Sequence, residues 1–439
     1  SLYLLTWFQH LKNHSSKRRR RLKERILSKL ILVFAAVALI PGAWAEPVKV
    51  RLRRALTAVE IQAMNLKLTG LSAESPVVPV AAITPRLESI RIRFKPTKSG
   101  IPLWKIRYRD SKQTVETQAL PLEIRGEVMR LGLEPVPRHL KLFPREDGRI
   151  DVITELDVES YLSGVVPSEM PASWPLEALK AQVIASRSYM YSLMNERQGE
   201  HFHLEASVFD QVYSMMNEVL TNRHHRETIA RAIRETKDLV LVGKDGEIIR
   251  SFYHSDCGGQ TEEPDRVWGT GSTLGTVKDP SCPLSPHGLW TYRISRKELG
   301  ERLARYLSWP ASDLFMSVEV VDRSPSRRIG ELRVLFAGGQ AQLKAQDLRR
   351  ILGFSRIKST NFQFHWGADD LIIHGRGYGH GVGMCQWGAR TLAGRGLDHQ
   401  KILKHYYAKA RVVPLAEVGG WSAKDLKKKA RSGNRAISL

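Results

Sequence analysis

Val165-Val166-Pro167-Ser168-Glu169-Met170-Pro171-Ala172-Ser173-Trp174-Pro175 runs directly into Leu176-Glu177-Ala178-Leu179-Lys180-Ala181-Gln182-Val183-Ile184-Ala185-Ser186-Arg187-Ser188-Tyr189. Pro175 suits a first helical turn, where an amide has no helical partner. The spacing predicts a helix over Pro175 to Asn195. Leu176, Leu179, Val183, Ser186 and Met190 share one face, and Ala178, Ala181, Gln182, Ala185 and Tyr189 form a small-residue stripe beside it. Before it, Ile90-Arg91-Ile92-Arg93-Phe94 and Leu103-Trp104-Lys105-Ile106-Arg107-Tyr108 alternate apolar and polar residues, the period of a strand. Turn residues at Lys98-Ser99-Gly100 and Glu146-Asp147-Gly148 punctuate them. The fold class expected is α+β: a β-rich N-terminal module, then a mixed α+β domain.

The expected boundaries are a signal peptide over 1–45, a linker and β-rich module over 46–149, a main domain over 150–414 and a basic tail over 415–439. Glu46 to Arg86 is ambiguous and includes a Pro- and Ala-containing linker, Ser75 to Pro85. Leu239 to Val242 and Ile248 to Tyr253 flank Gly243 to Gly246, a hairpin pattern. Phe315 to Val321 and Leu332 to Phe336 form another expected pair. Lys424 to Arg435 reads as a solvated tail.

Lys17 to Arg25 is densely cationic, Leu30 to Ile40 is apolar, and Ala43-Trp44-Ala45 places small residues at a cleavage site. Together these indicate a secretory signal, with a membrane anchor as the alternative. The chain's net charge is +23; nine Lys/Arg and one Glu lie in residues 1–45, which leaves +15 for the remainder. A basic exported protein meets cell-wall polymers and anionic lipids rather than nucleic acid. No zinc-finger or aromatic-rich pattern supports a nucleic-acid reading.

Glu169 lies among Val166, Met170 and Trp174. An apolar surround favours the protonated carboxyl, as a general acid working near neutral pH requires. The alternative is an N-terminal helix carboxylate stabilised by the dipole. Near the C-terminus, Gly375-Arg376-Gly377-Tyr378-Gly379-His380-Gly381-Val382-Gly383-Met384-Cys385-Gln386-Trp387-Gly388-Ala389 mixes glycines with polar and flat apolar groups, suited to a glycan. Of three cysteines, Cys257 and Cys282 are expected to form a disulfide in an oxidising compartment, with Cys385 free. A metal set of His254, Cys257 and Cys282 has no evident fourth ligand. No metal or other cofactor is expected.

The segments VVPSEMPASWPLEALKAQVIASRSY (165–189), DQVY (210–213), FYHSDCGGQTEEPDRVWG (252–269) and GRGYGHGVGMCQWGA (375–389) together resemble the SpoIID/LytB family of sporulation and cell-wall proteins. The resemblance covers about Ile150 to Pro414. It implies a lytic transglycosylase that cuts peptidoglycan strands stripped of stem peptides, with Glu169 as its catalytic residue. His254, Ser255, Thr261, His380, Gln386 and Trp387 are the candidates for lining the glycan groove. Some clostridial members bind zinc through a His and a Cys-rich stretch before the QVY motif. Here His201 to Asp210 holds no cysteine, so no metal is expected there. Other relatives are described as amidase modifiers. The alternative is therefore a non-catalytic glycan-binding partner of a cell-wall amidase. The glycines at 377, 379 and 381 are expected to floor the groove and to leave little room for stem peptides.

Overall fold

The computed structural model describes residues 46–69, 87–96, 103–215, 222–269, 274–280, 282, 285–286, 288–310 and 312–419. The signal segment, the Ser75–Pro85 linker, the Lys98-Ser99-Gly100 turn and the Lys424–Arg435 tail lie outside them. No helix among the described residues is long and apolar enough to cross a membrane.

The described residues begin with nine strands: β1 Val48–Leu56, β2 Val59–Thr69, β3 Leu87–Lys95, β4 Leu103–Tyr108, β5 Thr114–Thr117, β6 Leu122–Leu131, β7 Glu134–Pro135, β8 His139–Pro144 and β9 Ile150–Leu156. Their side chains alternate as the pleat demands. Ile90, Ile92, Trp104, Ile106, Leu122 and Ile124 are buried, and the arginines between them point outward. Then come α1 Val158–Glu169, α2 Leu176–Glu196 and β10 Leu204–Glu205. The sheet order is β10-β1-β9-β8-β6-β2-β3-β4-β5, with β7 on β6. The stretch from Val48 to Thr69, ambiguous in the sequence, supplies two full strands. Both expected classes of element are present, so the fold is α+β.

Helix α2 is buried on nearly every side and stands between two cores, though not along the predicted stripes: Ala178 and Tyr189 of the small-residue stripe join the first core. Leu179, Val183 and Met190 join the core beneath the large sheet. Ala181, Ile184 and Ala185 join a second core with Val382, Met384, Cys385 and Ala389 of the glycine-rich segment. Small residues let that segment approach the helix closely. Arg187, buried on α2, donates through its terminal nitrogens to the Thr236 and Leu239 carbonyls and pairs with Glu159.

Next along the chain are α3 Arg223–Glu235, β11 Leu239–Val242, β12 Tyr253–His254 and α4 Pro264–Trp268. The Gly243–Gly246 turn forms, with Gly243 N–H donating to the Glu247 carbonyl and Val242 bridging Ile248. The second arm leaves the ladder after Ile249, unlike the hairpin expected. Ser251 is drawn toward α2, where its hydroxyl donates to the Ala185 carbonyl. The apolar edge of β11 is covered instead by β20, Arg411–Pro414.

A lobe with its own apolar core follows. It comprises β13 Leu289–Ser295, α5 Arg296–Leu307, β14 Phe315–Val320, β15 Glu331–Phe336, β16 Gly339–Lys344, α6 Ala345–Leu352, β17 Phe362–Trp366 and β18 Asp370–Arg376. The expected pairing of β14 with β15 forms, and β16 extends it. The chain returns through β19 Met384–Cys385, α7 Gln386–Gly394 and α8 His399–Tyr406 to β20.

Candidate active site

Glu169 is the last residue of α1. Asp157 caps the start of that helix by accepting from Ser160 N–H at 2.9 Å, and Met170 ends it in extended backbone before Pro171. The carboxyl therefore sits at the C-terminal end of a helix, not the N-terminal end considered above. There the dipole disfavours negative charge. Burial pushes Glu169 up to about 7, against the pull of two hydrogen bonds, from Val212 N–H (2.8 Å) and from Tyr253. Its side chain nevertheless keeps some exposure. It is an acid that holds its proton near neutrality and is still reachable.

Beneath it lies a bonded polar network. Gln211 accepts from the Tyr161 hydroxyl at 2.8 Å and donates to the Tyr253 hydroxyl at 3.0 Å and to the Ser186 carbonyl at 3.2 Å. Tyr213 stacks on Tyr161 with ring centroids 5.8 Å apart. These contacts explain the DQVY stretch. Gln211 and Tyr213 fix the strand of backbone that aims Val212 N–H at the acid. Asp210 is taken up by Arg197 and Glu205 N–H.

Tyr253 and His254 pair in parallel with Met384 and Cys385. This rung joins the 252–269 motif to the glycine-rich motif. His254 donates from Nδ1 to the Val382 carbonyl at 3.0 Å, which leaves Nε2 as an acceptor with no hydrogen-bond partner among the described residues. Burial, then the nearby Arg328 charge, lowers its pKa to about 3, so the ring is neutral. His380 accepts from Val382 N–H and lies 5.0 Å from the Trp268 ring, which stacks on Phe252.

Trp387 packs edge-on against Trp174 at 4.9 Å, and Arg390 lies 4.7 Å over Trp387 and 5.4 Å from Trp174. Two indoles and a guanidinium thus stand on the loop that follows Glu169 and on α7. The structure places the other candidates differently. Thr261 is buried, its hydroxyl accepting from Val277 N–H at 2.7 Å. Gln386 is buried and donates to Gln182 at 3.2 Å. Ser255 accepts from Trp387 N–H through its carbonyl. The missing side chains of Gly377, Gly379 and Gly381 face Asp256, His254 and Arg328, so these glycines pack against the protein and do not floor a groove.

The expected Cys257–Cys282 disulfide is not formed. Cys257, Cys282 and Cys385 are all free and buried. The His254–Cys385 rung brings Cys385 beside Cys257, 128 residues earlier, and Cys257 N–H donates to the Cys385 sulfur at 3.3 Å. Cys282 therefore meets two thiols rather than one. Asp279, a residue the sequence reading passed over, closes the group. At the stretch before QVY, His203 Nδ1 accepts from Lys49 N–H, and burial lowers the ring's pKa to about 4.

Fold and site together define an α+β protein with a half-buried carboxylic acid at a helix end and, on the loop after it and α7, a pair of indoles under a guanidinium. A family model described as stage II sporulation protein matches residues 146–242, and one described as a domain of unknown function matches 287–383. An uncharacterized protein of Brachyspira hyodysenteriae is 32% identical over 64% of this chain and 72% of its own length. Stage II sporulation protein D of Bacillus amyloliquefaciens is 28% identical over 63% of this chain and 79% of its own. A Bacillus subtilis protein named amidase enhancer is 28% identical over 56% of this chain and 39% of its own. The chain belongs to the SpoIID family.

Proposed function

We propose that the protein is a peptidoglycan lytic transglycosylase. It acts outside the cytoplasm, in the periplasm or cell wall, on glycan strands that have lost their stem peptides. The observation that carries this is Glu169: a single carboxyl, raised to about 7 by burial, braced by Val212 N–H and Tyr253, and still reachable. One carboxyl suffices for this reaction. Glu169 protonates the glycosidic oxygen between N-acetylmuramic acid and N-acetylglucosamine, and the bond breaks. The muramoyl C6 hydroxyl closes on its own anomeric carbon and passes its proton to the Glu169 carboxylate. The product is a 1,6-anhydro sugar, and the acid is restored. Intramolecular attack replaces the positioned water that inverting hydrolases need. Trp174 and Trp387 give a sugar ring apolar faces to stack on.

Because the protonated form starts the reaction, kcat/KM for a denuded strand should fall as pH rises past about 7, by about tenfold per unit. Turnover of a chromogenic or labelled strand from pH 5 to 9 measures this. A flat profile up to pH 9 would mean that the proton of Glu169 takes no part.

Denuded strands carry free lactyl carboxylates, and Arg390, exposed and held against two indoles, pairs with one in this reading. Arg390→Gln should weaken binding of denuded strands by about tenfold at low salt, the size of one charge-assisted hydrogen bond. The difference should narrow at high salt as charges are screened. Equal affinity of variant and wild type at low salt would remove Arg390 from recognition. The second reading, a glycan-binding modifier of a cell-wall amidase, draws support from the relative named amidase enhancer.

A further inference from the structure

We propose that Cys257, Asp279, Cys282 and Cys385 hold one zinc ion. This inference is independent of the glycan chemistry. Three sulfurs and one carboxylate oxygen lie within 4.8 Å of one another, and all four residues are buried. Cys385 Sγ is 3.6 Å from Cys282 Sγ, and Cys257 Sγ is 3.6 Å from Asp279 Oδ2. Tetrahedral zinc, with bonds of about 2.3 Å to sulfur and about 2.0 Å to oxygen, sets its ligands about 3.5–3.8 Å apart. Two of the six ligand pairs already stand at that spacing, and none is farther apart than 4.8 Å. An iron–sulfur cluster needs its cysteines spread around a larger core. A thiolate-rich tetrahedral set selects zinc over hard cations.

The surroundings suit thiolates. Gly259 N–H donates to Cys257 Sγ at 3.3 Å, and Cys257 N–H and Gly388 N–H donate to Cys385 Sγ at 3.3 and 3.4 Å. Cys385 caps the nine-residue helix α7, so its sulfur also sits at the positive end of a helix dipole. Asp256 Oδ1 is 2.6 Å from Cys282 Sγ, a hydrogen bond made by one proton between them. The Tyr406 hydroxyl donates to Asp279 Oδ2 at 2.8 Å, the outer-shell bond that orients a ligating carboxylate.

An independent observation concerns Arg328. Its guanidinium is 2% exposed and donates to the Cys257 and Gly379 carbonyls. Among the described residues no carboxylate lies within ion-pair distance of it, Glu262 and Asp256 acting on it only from farther off, and its Nε has no hydrogen-bond partner. A buried cation needs a counter-charge. Three thiolates and a carboxylate around a divalent ion carry net negative charge next to it. A disulfide supplies none. It would also need two sulfurs at about 2.05 Å and would leave the third as a buried thiol.

Three thiol protons are displaced as three zinc–sulfur bonds form, that of Cys282 passing to Asp256 Oδ1 and the other two to solvent, and the Asp279 carboxylate supplies the fourth bond. Four protein ligands leave no open position, so the ion holds structure and performs no reaction. It clasps the loop after His254, the Asp279–Cys282 segment and the start of α7 behind the His254–Cys385 rung.

The test uses the full chain, produced with zinc and purified without chelator. Elemental analysis by mass spectrometry should find one zinc per chain, and the unfolded chain should titrate three thiols. Chelation should lower the melting midpoint, and added zinc should restore it. Cobalt(II) loaded into the stripped protein should show the visible bands of a tetrahedral site and sulfur-to-metal charge transfer in the near ultraviolet. Cys385→Ser should weaken the charge transfer, and Asp279→Asn should shift the visible bands. If Cys385→Ser does not fold, the metal content, thiol count and cobalt spectrum of the unaltered chain decide. Substoichiometric metal with three thiols, a single thiol with a mapped Cys257–Cys282 disulfide, or an octahedral cobalt spectrum would each overturn the proposal.

Discussion

Glu169→Gln should reduce strand cleavage by about a thousandfold or more, the range of a general acid whose proton is removed. The amide still accepts from Val212 N–H, so the fold should persist. Stability supplies a second readout. The folded-state pKa of Glu169, about 7, lies above that of an ordinary glutamate. Between those values the folded chain binds more protons than the unfolded chain, so this residue lowers stability as pH rises, and the loss is complete above about 7. The glutamine variant escapes that loss. Its melting midpoint should match wild type at pH 5 or below and exceed it at pH 8. Cleavage within a few fold of wild type would end the catalytic reading. If the variant still stimulates a cell-wall amidase while wild type cuts no glycan, the modifier reading takes its place.

Gly383→Ala should lower the melting midpoint by about 5 °C or more, as expected for a cost of about 3–5 kcal/mol in a chain of this length. Gly383 has φ +71°, and an added Cβ would fall 1.9 Å from the Phe252 carbonyl oxygen. That oxygen accepts from Met384 N–H at 3.1 Å and from the Tyr407 hydroxyl at 2.6 Å. A methyl there forces apart the rung that positions Tyr253 and His254. Gly394→Ala is the control, since its Cβ would meet nothing within 4 Å. A Gly383→Ala protein as stable as the control would show that the segment yields more easily than its packing implies.

What the sequence made legible was local. Helix α2 shows itself by Pro175 and its stripes, and β3 and β4 by their alternation. Helix α1 was hidden because Pro167 reads as a breaker; it stands in the last turn, two residues before the helix ends. Strand β1 was obscured by its arginines. Arg51 is buried there by pairing with Asp151, a hundred residues on. Glu169 could be picked out from its apolar neighbours, but its partners could not. Val212, Tyr253 and Gln211 reach it only through long-range packing. Trp174 was in the quoted motif, and only its contact with Trp387 and Arg390 gives it meaning. Thr261 and Gln386 misled because a polar residue near a motif can as easily be satisfied inside.

The lobe from Leu289 to Arg376 begins and ends on one ladder, where Leu289 faces Arg376 and Ser295 faces Asp370. Its two chain ends are therefore neighbours, and its Ser324–Arg328 turn reaches back to Glu262 and the Cys257 carbonyl. Such a cassette can be lengthened, shortened or exchanged for another without re-routing the chain on either side. Its core of Leu299, Leu332, Leu348 and Phe362 is distinct from the two cores flanking α2. A change in that lobe leaves the acid and its braces where they are, which makes it the part of this architecture most open to a new binding surface.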